Sequence, residues 1–115
     1  VAAPLRYKNI MEVVRNSIQS KKVYSVRAIC STYLPDWRKG TDYRNNYSAF
    51  KSMGGGVELD CIHELDYIIN LFGFPKSVKK QFGKYSNLEI NSNDLATFRL
   101  FWKSSYKKIS IVYFR

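Results

Sequence analysis

The residues able to do chemistry gather in one stretch, Gly54-Gly55-Gly56-Val57-Glu58-Leu59-Asp60-Cys61-Ile62-His63-Glu64-Leu65-Asp66, closed by Leu71-Phe72-Gly73. His63 is the single histidine of the 115-residue chain, and Asp60 and Asp66 flank it at three-residue steps. On a helix such steps set side chains along one side. An imidazole is the side chain best suited to exchange a proton near neutral pH, and a carboxylate beside it fixes its tautomer and supports its charged form. Asp60 with His63 is therefore a candidate acid/base device. The plainer alternative is that His63 and Asp66 hydrogen-bond only backbone and cap neighbours. In either case these polar groups need partners, because an unpaired charge in a core is costly.

Two further segments bear on a site. Three consecutive glycines let the backbone bend sharply and approach a ligand closely, or act as a hinge before a helix whose amide end would suit an anion. From Tyr33 to Met53 apolar periodicity vanishes while Pro35, Trp37, Gly40, Asn45 and Asn46 accumulate. Compact domains seldom keep so long an irregular segment unless it binds something. Trp37, Tyr43, Arg44 and Tyr47 could stack on a sugar and hydrogen-bond it or its carboxylate or phosphate, with the arginine offering a two-pronged fork. The plainer role for such aromatics is to pin the loop down.

The elements that must position these residues follow from periodicity. Ile10, Val13, Val14 and Ile18 recur at helical spacing behind Asn9, a candidate cap, and Ser20-Lys21-Lys22 ends the run. Val23 to Thr32 reads as a strand with Tyr24, Val26, Ala28, Cys30 and Thr32 on one face. Val57, Leu59, Ile62, Leu65, Ile68, Ile69, Leu71 and Phe72 predict a single apolar helix stopped at Gly73, buried on more than one side. Strands are expected over Ser77 to Phe82, Leu95 to Trp102 and Tyr106 to Phe114, the last two as an antiparallel hairpin turning at Lys103-Ser104-Ser105. The last strand carries apolar residues on both faces and reaches Arg115 with no turn, so more sheet is expected beyond it.

Composition bounds the whole. A chain of 115 residues that is 45% hydrophobic and 16% aromatic is expected to form one core. Nineteen Lys and Arg against nine Asp and Glu leave a net charge of +10. That balance could attract nucleic acid or an anionic membrane. The basic residues fall in scattered pairs, however, which points to a solvated surface and to neither partner. Cys30 and Cys61 stand apart with no C-x-x-C, so neither a metal site nor a disulfide framework is expected, and two reduced thiols fit a cytoplasmic protein. No apolar run approaches the roughly 20 residues of a membrane span. The opening Val1-Ala2-Ala3-Pro4 reads as a point inside a longer protein.

Gly-Gly-Gly-x-x-x-Asp followed by His-x-x-Asp and Leu-x-Gly resembles the hallmark of the Gfo/Idh/MocA oxidoreductases. Leu5-Arg6-Tyr7 resembles the end of the last strand of that family's nucleotide-binding domain. Tyr33-Leu34-Pro35-Asp36-Trp37-Arg38 and Asp42-Tyr43-Arg44 resemble the substrate loop of members acting on nucleotide-activated or acidic amino sugars. The resemblance implies an N-terminal Rossmann domain binding NAD or NADP, a C-terminal α/β domain with an open sheet, and hydride transfer at a sugar carbon. It also implies a homo-oligomer formed through the sheet face. Residues 1–8 would end the nucleotide-binding domain, and residues 9–115 would be part of the C-terminal, substrate-binding domain. Of the family's catalytic groups, His63 and Asp60 match here. The Glu-Lys-Pro motif and a G-x-G-x-x-G fingerprint do not occur, so the cofactor and the catalytic lysine are expected on a separate domain and this chain alone is expected to be inactive.

The combined expectation is an α/β (α+β) fold with helices on one face of a mostly antiparallel sheet, in which Trp37, Tyr43 and Arg44 contact substrate. A second expectation, from another class, is a non-catalytic basic module for binding or oligomerisation.

Overall fold

The computed structural model describes residues 3–102 and 108–115. A short 3-10 turn, Pro4–Tyr7, leads into helix α1, Asn9–Ile18. Strand β1 is Ser25–Ser31, helices α2 and α3 are Val57–Asp60 and His63–Phe72, and strands β2, β3 and β4 are Ser77–Gly83, Leu95–Phe101 and Lys108–Phe114. The strands form one open sheet in the order β1, β4, β3, β2, with β1 and β4 parallel and the other two pairings antiparallel. The expected α/β architecture with a mostly antiparallel sheet is thus present, and the β3–β4 pairing is antiparallel as the hairpin reading required. The turn foreseen at residues 103–105 lies outside the described residues.

Strand alternation sorts the sheet into two faces. Ala28 of β1, Ala96, Phe98 and Leu100 of β3, and Ile109, Ile111 and Tyr113 of β4 all point to the core, where Val57 of α2, Ile68 of α3 and Cys61 between them meet the sheet. Phe98 sits between Phe82 and Tyr113 in edge-to-face contacts at 5.2 and 5.8 Å. Such pairs add roughly 0.5–1.5 kcal/mol beyond their buried area. Arg27, Gln81, Thr97, Arg99 and Ser110 lie on the opposite face, where Ile29 and Phe114 are exposed.

Several sequence expectations need correction. Asn9 begins α1 instead of capping it, and the cap position is held by Lys8 in extended conformation. The buried stripe of α1 runs through Met11, Val14 and Ile18, whereas Ile10 and Val13 are exposed. Leu5-Arg6-Tyr7 lies in the 3-10 turn and not at the end of a strand. The predicted single helix over 57–72 is two helices: Cys61 leaves the helical region at φ −104°, ψ 22°, and α3 restarts at His63. Leu59 is consequently turned out and exposed.

Candidate functional site

The break between α2 and α3 decides where each polar side chain goes. Gly56, at φ 144°, caps α2 in a conformation that L side chains rarely adopt. Gly55 has a different reason to lack a side chain: a Cβ there would lie 2.4, 2.6 and 2.8 Å from the carbonyl oxygens of Tyr47, Ser48 and Phe50. The close approach read from the glycine run is therefore an approach to the chain's own loop.

That loop, residues 33–53, is built from short 3-10 turns over Leu34–Asp36, Tyr43–Asn45, Tyr47–Ala49 and Lys51–Met53. Asp42 and Asn46 cap two of them through their side chains. The Ser48 carbonyl accepts from the Ser92 hydroxyl at 2.6 Å and from Arg115 Nη1 at 3.1 Å. Arg115 is the hub of this side. Its side chain is fully buried, ion-paired with Asp60, and its guanidinium lies over the Trp37 ring at 5.0 Å. Asp60 thus reaches the Trp37 segment through an arginine.

His63 has a different neighbour. Its Nε2 lies 3.2 Å from Glu64 Oε1, with 31% of the imidazole side chain and 11% of the carboxylate side chain exposed. The Tyr67 hydroxyl donates to the other oxygen of Glu64. Burial, reinforced by that hydrogen bond, pushes the Tyr67 phenol above its ordinary range, so it stays a donor. The Cys30 thiol of β1 completes the group, with its sulfur, the His63 ring and the Glu64 carboxylate all within 4.8 Å of one another. Cys61 adjoins Cys30 and is buried. Desolvation, with Cys30 adding, pushes its thiol up to about 12, leaving it unreactive near neutral pH.

The carboxylate touching His63 is therefore Glu64's, and the three-residue spacing of Asp60, His63 and Asp66 serves three separate partnerships. Asp66 is paired with Arg6, which holds its carboxyl below the usual range and ties the Pro4–Tyr7 turn to α3. The remaining candidates lie in the loop. Trp37 and Tyr43 line one crevice with Leu34, Pro35 and Asn46. The Tyr43 hydroxyl accepts from the Glu89 amide at 3.3 Å. Arg44 is held by its own acids, donating to Asp42 at 2.9 Å and to Glu89 at 3.1 Å; both raise its pKa, Asp42 the more. Its fork is engaged by these two carboxylates.

Sequence reasoning passed over Glu64, Cys30 and Arg115 as parts of this region. Strand parity carried a usable signal, since it sets Cys30 on the helix-facing side with Ala28 and puts Arg115 on the same side as Tyr113. Glu64 adjoins the only histidine. Among the described residues no helix is long and apolar enough to cross a membrane.

The sequence matches no family model and no curated relative. Solved structures do match. An oxidoreductase from Agrobacterium radiobacter, in complex with NAD+, L-tartaric acid and magnesium, superposes with a TM-score of 0.73 at 17% identity, covering 99% of this chain and 32% of that one. A candidate dehydrogenase from Bordetella bronchiseptica RB50 gives 0.71 at 16%, covering 95% and 28%. The candidate oxidoreductase yvaA from Bacillus subtilis gives 0.69 at 17%, covering 97% and 29%. At these identities the likeness is one of fold, and this chain has the architecture of a single domain that makes up about 30% of each of those oxidoreductase and dehydrogenase chains.

Proposed function

We propose that the chain is the substrate-facing domain of an NAD(P)-dependent oxidoreductase of the Gfo/Idh/MocA type, acting on a hydroxyl-bearing carbon of a sugar or nucleotide-sugar. The observation that carries this reading is His63. It is a half-exposed imidazole at the start of α3, backed by a carboxylate, on a fold shared with an oxidoreductase crystallised with NAD+ and a hydroxy acid. His63 takes or returns the proton of the substrate hydroxyl, and Glu64, 3.2 Å from its Nε2, orients the ring. Asp60 acts at one remove as a positioning residue. Through Arg115 it holds Trp37, which with Tyr43 borders the loop surface proposed to meet a sugar. Arg44, already braced by Asp42 and Glu89, presents a fixed cation at the loop surface.

Gly55 is packed against the carbonyls of Tyr47, Ser48 and Phe50 and no G-x-G-x-x-G fingerprint occurs, which supports a site for NAD or NADP on another domain of the parent protein. The open sheet face, with Ile29 and Phe114 exposed among polar and basic residues, is the surface proposed for a second copy of the chain.

The test uses the full-length parent. His63→Ala should lower turnover about 100-fold or more, with cofactor affinity largely kept. Unchanged turnover would remove His63 from the reaction.

A further inference from the structure

Glu64 poses a problem that the proton-transfer reading does not solve. Its side chain is only 11% exposed, and the ion pairs and hydrogen bonds given to it by the described residues come from His63 and the Tyr67 hydroxyl. Buried carboxylates are normally paired with a full cation or coordinate a metal. Beside it stands the Cys30 thiol, on the one face of β1 that looks toward α3. Sulfur, imidazole nitrogen and carboxylate oxygen form the donor set of zinc and related borderline cations, and three protein ligands leave a fourth tetrahedral position open.

The distances fit that geometry. Tetrahedral zinc with N and O ligands at its usual bond lengths separates them by roughly 3.4 Å; His63 Nε2 and Glu64 Oε1 stand 3.2 Å apart. The third donor lies within 4.8 Å of the others, so Cys30 needs a closing movement of at most about 1 Å to reach a zinc–sulfur bond. The outer contact is in place as well, since the Tyr67 hydroxyl fixes the second oxygen of Glu64, and such second contacts orient ligands and tune affinity. Two anionic ligands and a neutral imidazole would balance a divalent cation in a half-buried setting.

We infer that Cys30, His63 and Glu64 form a binding site for a divalent zinc-like cation. Binding replaces the Cys30 S–H bond with a sulfur–metal bond and releases the proton to solvent. On the reading of His63 as the acid/base, which this consequence alone rests on, an occupied site withdraws the imidazole from proton transfer and so inhibits the parent enzyme.

The experiment is a titration of the chain with Co2+ under reducing conditions, read by absorption, with Zn2+ as competitor. The expected result is a thiolate-to-cobalt charge-transfer band with tetrahedral visible bands, displaced by Zn2+. Cys30→Ser should abolish the charge-transfer band, and Cys61→Ala should leave it. Tyr67→Phe should keep the band and weaken binding about tenfold. Absence of the band, or its persistence in Cys30→Ser and loss in Cys61→Ala, overturns the site. Because the readout is spectroscopic and needs no turnover, it stands apart from the His63→Ala test of the proton-transfer reading.

Discussion

Asp60 and His63 lie three residues apart and are put to opposite uses. Asp60, with 4% of its side chain exposed, is locked to a fully buried arginine, while His63 keeps 31% of its side chain open beside Glu64. The first arrangement is closed: two buried charges are tolerated only as a complete pair. The second has room for another partner. What separates them is the break at Cys61, which ends α2 with Asp60 facing Arg115 and starts α3 with His63 beside β1. A continuous helix would have set both on one stripe. Chemistry-capable residues at regular spacing are thus sorted into struts and sites by where the backbone interrupts the period.

The sharpest way to break this contrast is to remove the strut. Asp60→Ala leaves the Arg115 guanidinium buried and uncompensated, and should destabilise the chain by about 3–5 kcal/mol in urea unfolding. Arg115 also holds the Ser48 carbonyl and the Trp37 ring, so limited proteolysis within residues 33–53 should quicken in the same variant. A loss of less than about 1 kcal/mol would show that the pair behaves as a surface contact and that Asp60 is free for another role.

A second strut, Asp94, sharpens the contrast through pH. It is fully buried, and its carboxylate accepts from the Tyr85 amide at 2.7 Å and the Ser86 amide at 2.8 Å, while its own carbonyl receives the Arg115 amide at 2.9 Å. Burial alone would raise its pKa, but the bonds from Ser86 and Tyr85 outweigh that and hold it below the ordinary value. A depressed folded-state pKa contributes stability that is complete above the unfolded value of about 3.9 and is lost as pH falls through the folded one. Native protein should therefore weaken as it is acidified below about pH 4. Asp94→Asn should cost about 1–3 kcal/mol at neutral pH and flatten that acid limb. An unaltered acid limb would rule Asp94 out as its source.

How much of this could be read in advance follows from the same physics. Alternation placed Val26, Ala28 and Cys30 on the buried side correctly, because a pleated strand leaves a side chain only two directions. The irregular span from Tyr33 was legible too, since it lacks either period. The apolar pattern from Val57 to Phe72 has the period of one helix because side-chain period survives a local break; the interruption shows only in the backbone, where the Ile62 amide reaches the Leu59 carbonyl at 3.4 Å. Exposure of Ile10 and Val13 was invisible for a related reason. Periodicity reports a face, and what covers that face is settled by tertiary partners such as the Arg6–Asp66 and Arg15–Asn70 links between the N-terminal segment and α3. The partners of Asp60 and Asp66 come from 55 and 60 residues away, beyond any local pattern.

The smallest expected effect is the one that tests the open side of the contrast. His63→Ala removes a partly exposed imidazole from a mostly buried carboxylate, and should cost about 0.5–1.5 kcal/mol, well below the loss in Asp60→Ala. Glu64 retains its Tyr67 donor in that variant, so its carboxylate is not stripped of hydrogen bonds. A small loss of stability set beside a large loss of turnover in the parent would mark His63 as a residue kept for function at little structural benefit. If the unfolding midpoint fell as far as in Asp60→Ala, His63 would be a strut like its neighbour, and the division of this segment into a closed pair and an open site would fail.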